Sequence, residues 1–145
     1  MLLLGGNFVS KAQDVDVTLE FKNAEIAEKL VRDYTSALQK GDVAGMNAQL
    51  HEKAMIHGLG GGLDSLNVMQ HKKYFTNSTN QYTHSISGDL YLPIKVENYW
   101  NEGKWLLSWG TNTVTDKKTK KNNCNSLSYC FNGRKWKNSI YKLFL

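Results

Sequence analysis

Few side chains in this sequence can do chemistry. Four histidines, His51, His57, His71 and His84, are of the type that titrates near neutral pH. His57 closes the short apolar run Lys53-Ala-Met-Ile-His57, where it fits a general base, a polar lining of a pocket, or an ordinary half-buried strand residue. His51, His71 and His84 read as solvated or capping residues. Trp100, Trp105 and Trp109 are large apolar bodies with one donor each; Trp105 and Trp109 share a strand face and either line the mouth of a pocket or fill a core. Cys124 and Cys130 have no CxxC pattern and no histidine at ligand spacing, so no metal is expected. A disulfide between them is sterically open in an oxidising compartment. The run Gly58-Leu-Gly-Gly-Gly62 lacks the Gly-Lys-Ser/Thr ending of a phosphate loop. No Ser-His-Asp order, no HExxH and no paired inward carboxylates are visible, and no cofactor is expected.

The elements that must position these groups are legible from periodicity. Ala27, Leu30, Val31, Tyr34, Ala37 and Leu38 recur at helical spacing after Asn23, which is placed to cap, and before Gly41, which is placed to stop the helix. Asp42 then caps a shorter helix that runs to about Leu50 and turns Met46 and Leu50 inward. The run ending at His57 is too short for a helix and reads as a strand. Glycines 58 to 62 form a loop. Asp64 or Ser65 caps a third helix, with Leu66, Met69, Lys73 and Tyr74 on one face, and this makes Tyr74 a pocket candidate.

From Tyr82 onward the period becomes two. Leu90, Leu92, Ile94 and Val96 alternate with Asp89, Tyr91, Pro93 and Lys95, a strand with one buried side in which Pro93 marks an edge or a bulge. A turn at Asn101-Glu102-Gly103 leads into a strand where Trp105, Leu107, Trp109, Thr111 and Thr113 alternate with Leu106, Ser108, Gly110, Asn112 and Val114. Asp116 to Thr119 is the next turn. Helix, helix, strand, helix and then a meander of long strands predicts an α+β cone, with N-terminal helices packed on a curved antiparallel β-sheet carrying a mixed edge.

The chain has 145 residues, the size of one domain. Its formal charge of +5 hides an asymmetry: residues 1–116 hold ten basic and thirteen acidic side chains, while residues 117–145 hold eight basic and none acidic. A surplus confined to one terminal segment is not the distributed basic face that phosphate binding needs, so no nucleic acid is expected. No apolar run reaches the roughly 18 residues of a membrane span. Residues 1–13 read either as the back half of a signal peptide or as a frayed tail. With a start codon assigned too late, the mature domain begins near Gln13 or Asp14 and is secreted or periplasmic; otherwise it is cytoplasmic. Residues 20–145 read as the single domain.

The stretch Asp33 to Gly58, "DYTSALQKGDVAGMNAQLHEKAMIHG", resembles the nuclear transport factor 2-like superfamily, which includes ketosteroid isomerases and SnoaL-like cyclases. The shared pattern is a tyrosine on the first helix, a helix-ending Gly-Asp, a short second helix and an Ala-led strand. The resemblance covers roughly Ala24 to Thr119. It implies a cone that dimerises through its sheet and takes a small apolar or aromatic ligand. It also places the isomerases' oxyanion-donating tyrosine on Tyr34 and their general-base aspartate on Gly58, so that base is absent. Three readings follow. The first is a small-molecule-binding domain lined by Tyr34, His57, Tyr74, Trp105 and Trp109 without a catalytic set. The second is an isomerase, cyclase or hydratase using Tyr34 and His57, and the third is a structural dimerisation module.

The ending departs from that pattern. Residues 120–145 turn to Lys and Asn where the resemblance asks for two more apolar strands. Back-translating with A/T-rich codons and joining the last two bases of each codon to the first of the next gives, from Lys121, KITVIPYHIVLMEENGKIVFINYF. Codon choice is free at many places, but Trp136 has one codon and forces the Gly of the Gly-Lys-Ile turn. A small insertion or deletion near Lys120-Lys121 is therefore expected to have replaced the native ending, with a histidine spanning Ser128 and Tyr129 lost from the pocket wall. Loss of that pattern predicts a weakly packed C-terminal region.

Overall fold

The computed structural model describes residues 16–57, 65–99, 102–132 and 139–141. In chain order the elements are β1 (Asp16–Thr18), α1 (Ala24–Lys40), α2 (Val43–Ala48), β2 (Met55–His57), β3 (Ser65–Asn67), α3 (Val68–Gln81), β4 (Tyr82–Glu97), β5 (Gly103–Asp116), β6 (Asn122–Asn132) and β7 (Ser139–Tyr141). The strands form one sheet in the order β1-β4-β5-β6-β7-β2-β3. Every pairing is antiparallel except β2 with β7, which run parallel through His57 and Tyr141. Helices pack on one side of this mostly antiparallel, curved sheet, giving the expected α+β cone.

α1 forms where the apolar stripe predicts it, burying Ala27, Val31, Tyr34, Thr35, Ala37 and Leu38. Its ends are made differently from each other. Gly41 stops the helix in the left-handed region at φ 71°, where a side chain would be strained. Asn23 precedes the helix but is itself left-handed, and its side chain makes no capping bond. Asp42 caps α2 as its type predicts, its Oδ1 accepting from Gly45 N at 2.8 Å, and Met46 is fully buried beneath.

α3 begins later than an Asp64 or Ser65 cap would place it. Ser65–Asn67 is the edge strand β3 instead, and Asn67 and Gln70 form a reciprocal capping box, each side chain accepting from the other's backbone N–H at 2.9 Å. That start turns His71, Phe75 and Thr79 inward. Met69 and Tyr74, expected on the inner face, are 82% and 41% exposed.

The sheet's two faces are set by an irregularity between Ser87 and Leu90, where two β4 residues stand against Gly110 of β5. An extra residue in one strand reverses which positions face in. His84 and Ile86 face the helices before it; after it Tyr91 does, packed against the core cluster of α1, α2, Ile56, Phe75 and Leu106. Leu90 is consequently turned outward and 62% exposed beside its cross-strand partner Trp109. The expectation that Leu90 to Val96 makes the buried side is corrected for Leu90, while Val96, 5% exposed, is buried. Pro93 is not at this irregularity. It lies on a stretch of β4 that has no neighbour on its far side among the described residues, since β1 pairs with Lys95 to Glu97, as suits a residue with no N–H to donate.

The turn into β6 is held by Asp116, whose Oδ1 accepts from Lys118 N at 2.8 Å and Thr119 N at 2.7 Å. These backbone donors, Thr119 first, hold its carboxyl below the usual range. Cys124 and Cys130 both lie in β6, six residues apart in extended chain, about 20 Å at the ordinary strand rise. A disulfide within the chain is thereby corrected, since it needs Cα atoms less than about 7 Å apart. No helix among the described residues is long and apolar enough to cross a membrane. The Gly58–Gly62 loop, residues 1–13 and Trp100 lie outside the described residues.

Candidate functional site

The helix-facing interior centres on Tyr34, midway along α1 and 1% exposed. Its hydroxyl lies 2.8 Å from His71 Nε2, and His71 Nδ1 lies 2.7 Å from Asn47 Oδ1. An amide oxygen only accepts, so Nδ1 bears the ring proton, Nε2 is an acceptor, and Tyr34 donates to it. His71 is fully buried, with Phe75 tilted against its ring at a centroid distance of 4.7 Å. Burial disfavours the imidazolium and lowers His71 to about 4. At neutral pH the ring is therefore uncharged, with both nitrogens bonded.

This chain joins three elements, α1, α2 and α3, with His71 bonded to both of the others. It overturns the reading of His71 as a solvated or capping residue. His51 does act locally, its Nδ1 accepting from Lys53 N at 3.1 Å. The signal for His71 was faint, because His71, Phe75 and Thr79 supply a single strongly apolar residue. Only the Asn67-Gln70 cap, which fixes where the helix starts, could have placed it.

A second polar cluster sits between α3 and the sheet. His84 Nε2 is 3.2 Å from Ser78 Oγ, and His84 Nδ1 is 3.2 Å from Asn112 Nδ2. Asn112 is 8% exposed on the helix-facing side of β5. Nothing in the alternation of β5 marked Asn112 or Ser108 as more than small polar residues between aromatics. Charge stays outside: Arg32, exposed on α1, takes Glu28 Oε1 at 2.8 Å, reaches Asp89 Oδ2 at 3.4 Å and covers the Tyr91 ring at 4.1 Å from its centroid. Burial raises the Tyr91 phenol above its ordinary value. Among the described residues no three of His, Cys, Asp and Glu are grouped as metal ligands would be.

The four pocket candidates whose side chains are described, Tyr34, Tyr74, Trp105 and Trp109, do not share one face. Tyr34 is in the interior. Tyr74 is on the outer side of α3, forming an edge contact with Phe75 at a centroid distance of 5.1 Å. Trp105 and Trp109 alternate with Leu106 and Ser108, both buried on the helix side, and so belong to the opposite face of β5; Trp109 is 36% exposed. His57 is in β2, its backbone paired with Ser65 and Tyr141, and its side chain lies outside those described.

No protein-family profile and no curated protein matches the sequence. Solved structures do match in shape. A Xanthomonas campestris protein to which polyketide cyclase activity has been ascribed superposes with a TM-score of 0.64 at 16% identity, over 84% of this chain and 93% of its own. An NTF2-like protein from Burkholderia xenovorans gives 0.60 at 16% identity, over 82% and 88%. An LEH-like epoxide hydrolase from M. tuberculosis gives 0.59 at 11% identity, over 86% and 83%. At such identities the likeness is one of fold, and a fold of this kind hosts unrelated activities.

Proposed function

We propose that this chain, an α+β cone of the nuclear transport factor 2-like kind, is a binding domain that takes a small apolar or aromatic molecule against the helix-facing side of its sheet. The observation that supports binding over turnover is the closed chain from Tyr34 through His71 to Asn47. A phenol has one proton to donate, and here it goes to a protein nitrogen at 2.8 Å. A general base works best with a pKa near the operating pH, and His71, lowered to about 4 with both nitrogens engaged, is poorly matched to that task. The position that resembles the isomerase base is glycine, Gly58. The test is isothermal titration of 2-naphthol into the full chain at pH 7. Saturable one-to-one binding is expected, and its absence would refute the reading.

The enzyme reading keeps one argument, that the cyclase and hydrolase neighbours named above share this fold. It requires Tyr34 to release His71 and turn its proton to a substrate. The binding reading also includes a homodimer through the outer sheet face, supported by Leu90 at 62% and Trp109 at 36% exposure on adjacent strands.

A further inference from the structure

The buried polar side chains of the described residues are Thr35, His71, Thr79, Ser108 and Asn112, and none bears a formal charge at neutral pH. Most are internally matched. Thr35 Oγ1 donates to Arg32 O at 3.0 Å and Thr79 Oγ1 to Phe75 O at 2.8 Å. Both ring nitrogens of His71 are bonded. Lys117, whose backbone N–H donates to Gln81 O, also directs its Nζ to Thr79 O at 2.6 Å. The exception is Asn112. Its Nδ2 donates to His84 Nδ1 at 3.2 Å, while its Oδ1, shielded from solvent, accepts from nothing. A buried acceptor left unmet is destabilising, and native interiors leave few such groups.

Building on the binding reading above, we propose that Asn112 Oδ1 is the polar end of the ligand site, accepting a hydrogen bond from a hydroxyl or N–H of an otherwise apolar, uncharged molecule. The contact with His84 engages the nitrogen end of the amide and leaves the oxygen end as the one with an acceptor unused. A carboxylate would bring acceptors against an acceptor, with no buried cation among the described residues to meet its charge. An ammonium would lose its hydration with no buried anion among them in return. His71 strengthens the case for a neutral guest, because a ring lowered to about 4 supplies no charge at pH 7.

The experiment is isothermal titration at pH 7 of three matched probes, 2-naphthol, 2-methoxynaphthalene and 2-naphthoate, into the full chain and into Asn112→Leu. The expected result is 2-naphthol binding about tenfold more tightly than 2-methoxynaphthalene, as one hydrogen bond permits, with 2-naphthoate weakest. In Asn112→Leu the ratio of the first two falls to about one. Should that variant fail to fold, Asn112→Val makes the same deletion with a smaller, strand-favouring side chain, and the wild-type ratio is decisive in either case. Equal binding of naphthol and its methyl ether by the wild type, the result a trapped water on Oδ1 would give, overturns the proposal and leaves the binding domain standing. A preference that survives in Asn112→Leu does the same. Failure of all three probes to bind overturns both.

Discussion

His71 should make this protein acid-sensitive in a defined window. Its ordinary pKa is about 6.5, and burial lowers it to about 4 in the folded chain. The unfolded chain therefore takes a proton that the folded chain refuses as pH drops below about 6.5. The associated stability is fully present above that value, declines as pH falls, and is exhausted near pH 4, where the folded ring also protonates. The span of roughly 2.5 units corresponds to about 3 kcal/mol in all, and about 2 kcal/mol of it is gone by pH 5. Set against a typical 5–15 kcal/mol for a domain, that is a sizeable share. The assay is urea unfolding at a series of pH values between 7 and 4, on wild type and on His71→Gln, which keeps polar groups but cannot titrate. The variant is expected to be less stable at pH 7, yet to lose about 2 kcal/mol less between pH 7 and 5. Parallel pH profiles for the two proteins would show that His71 is neither shielded nor neutral as described.

Three further outcomes are expected. Tyr34→Phe removes the donor to His71 Nε2 and leaves a buried nitrogen unmet, so it should cost about 1–3 kcal/mol in the same unfolding assay, and unchanged stability would place the hydroxyl outside the network. Trp109→Lys should shift the chain to monomer in sedimentation velocity if the outer sheet face joins two copies; a wild type that is monomeric at high concentration counts against that dimer. Resequencing the locus should reveal an altered reading frame near Lys120-Lys121, and the frame-restored chain should melt higher than the 145-residue chain; an intact frame, or matching melts, would end that idea.

Local rules were enough wherever local physics decides. α1 declares itself through a wide apolar stripe and a glycine stop, and Asp42 and Asp116 do the capping and turn work their types predict. The misreadings share a cause, which is that facing is a tertiary property. In β4 the irregularity between Ser87 and Leu90 reverses inside and outside midway, so no single alternation describes the strand. In α3, a histidine and a threonine are buried because α1 and α2 offer partners for the histidine, and hydropathy cannot register that. Asn112 was equally invisible, since its burial comes from His84 and the helices above it, not from its neighbours in sequence.

The parallel pairing of His57 with Tyr141 has a consequence for how the chain is made. Among the described residues β2 and β3 reach the rest of the sheet only through β7, which is made well after β2 because Tyr141 follows His57 by more than about 80 residues. At ~5–20 residues per second, the β2 edge waits on the order of ten seconds for its neighbour. During that wait the backbone of His57 has no strand partner on the β7 side. A change in β7 therefore acts first on the newborn chain, by lengthening the time the β2 edge stays open.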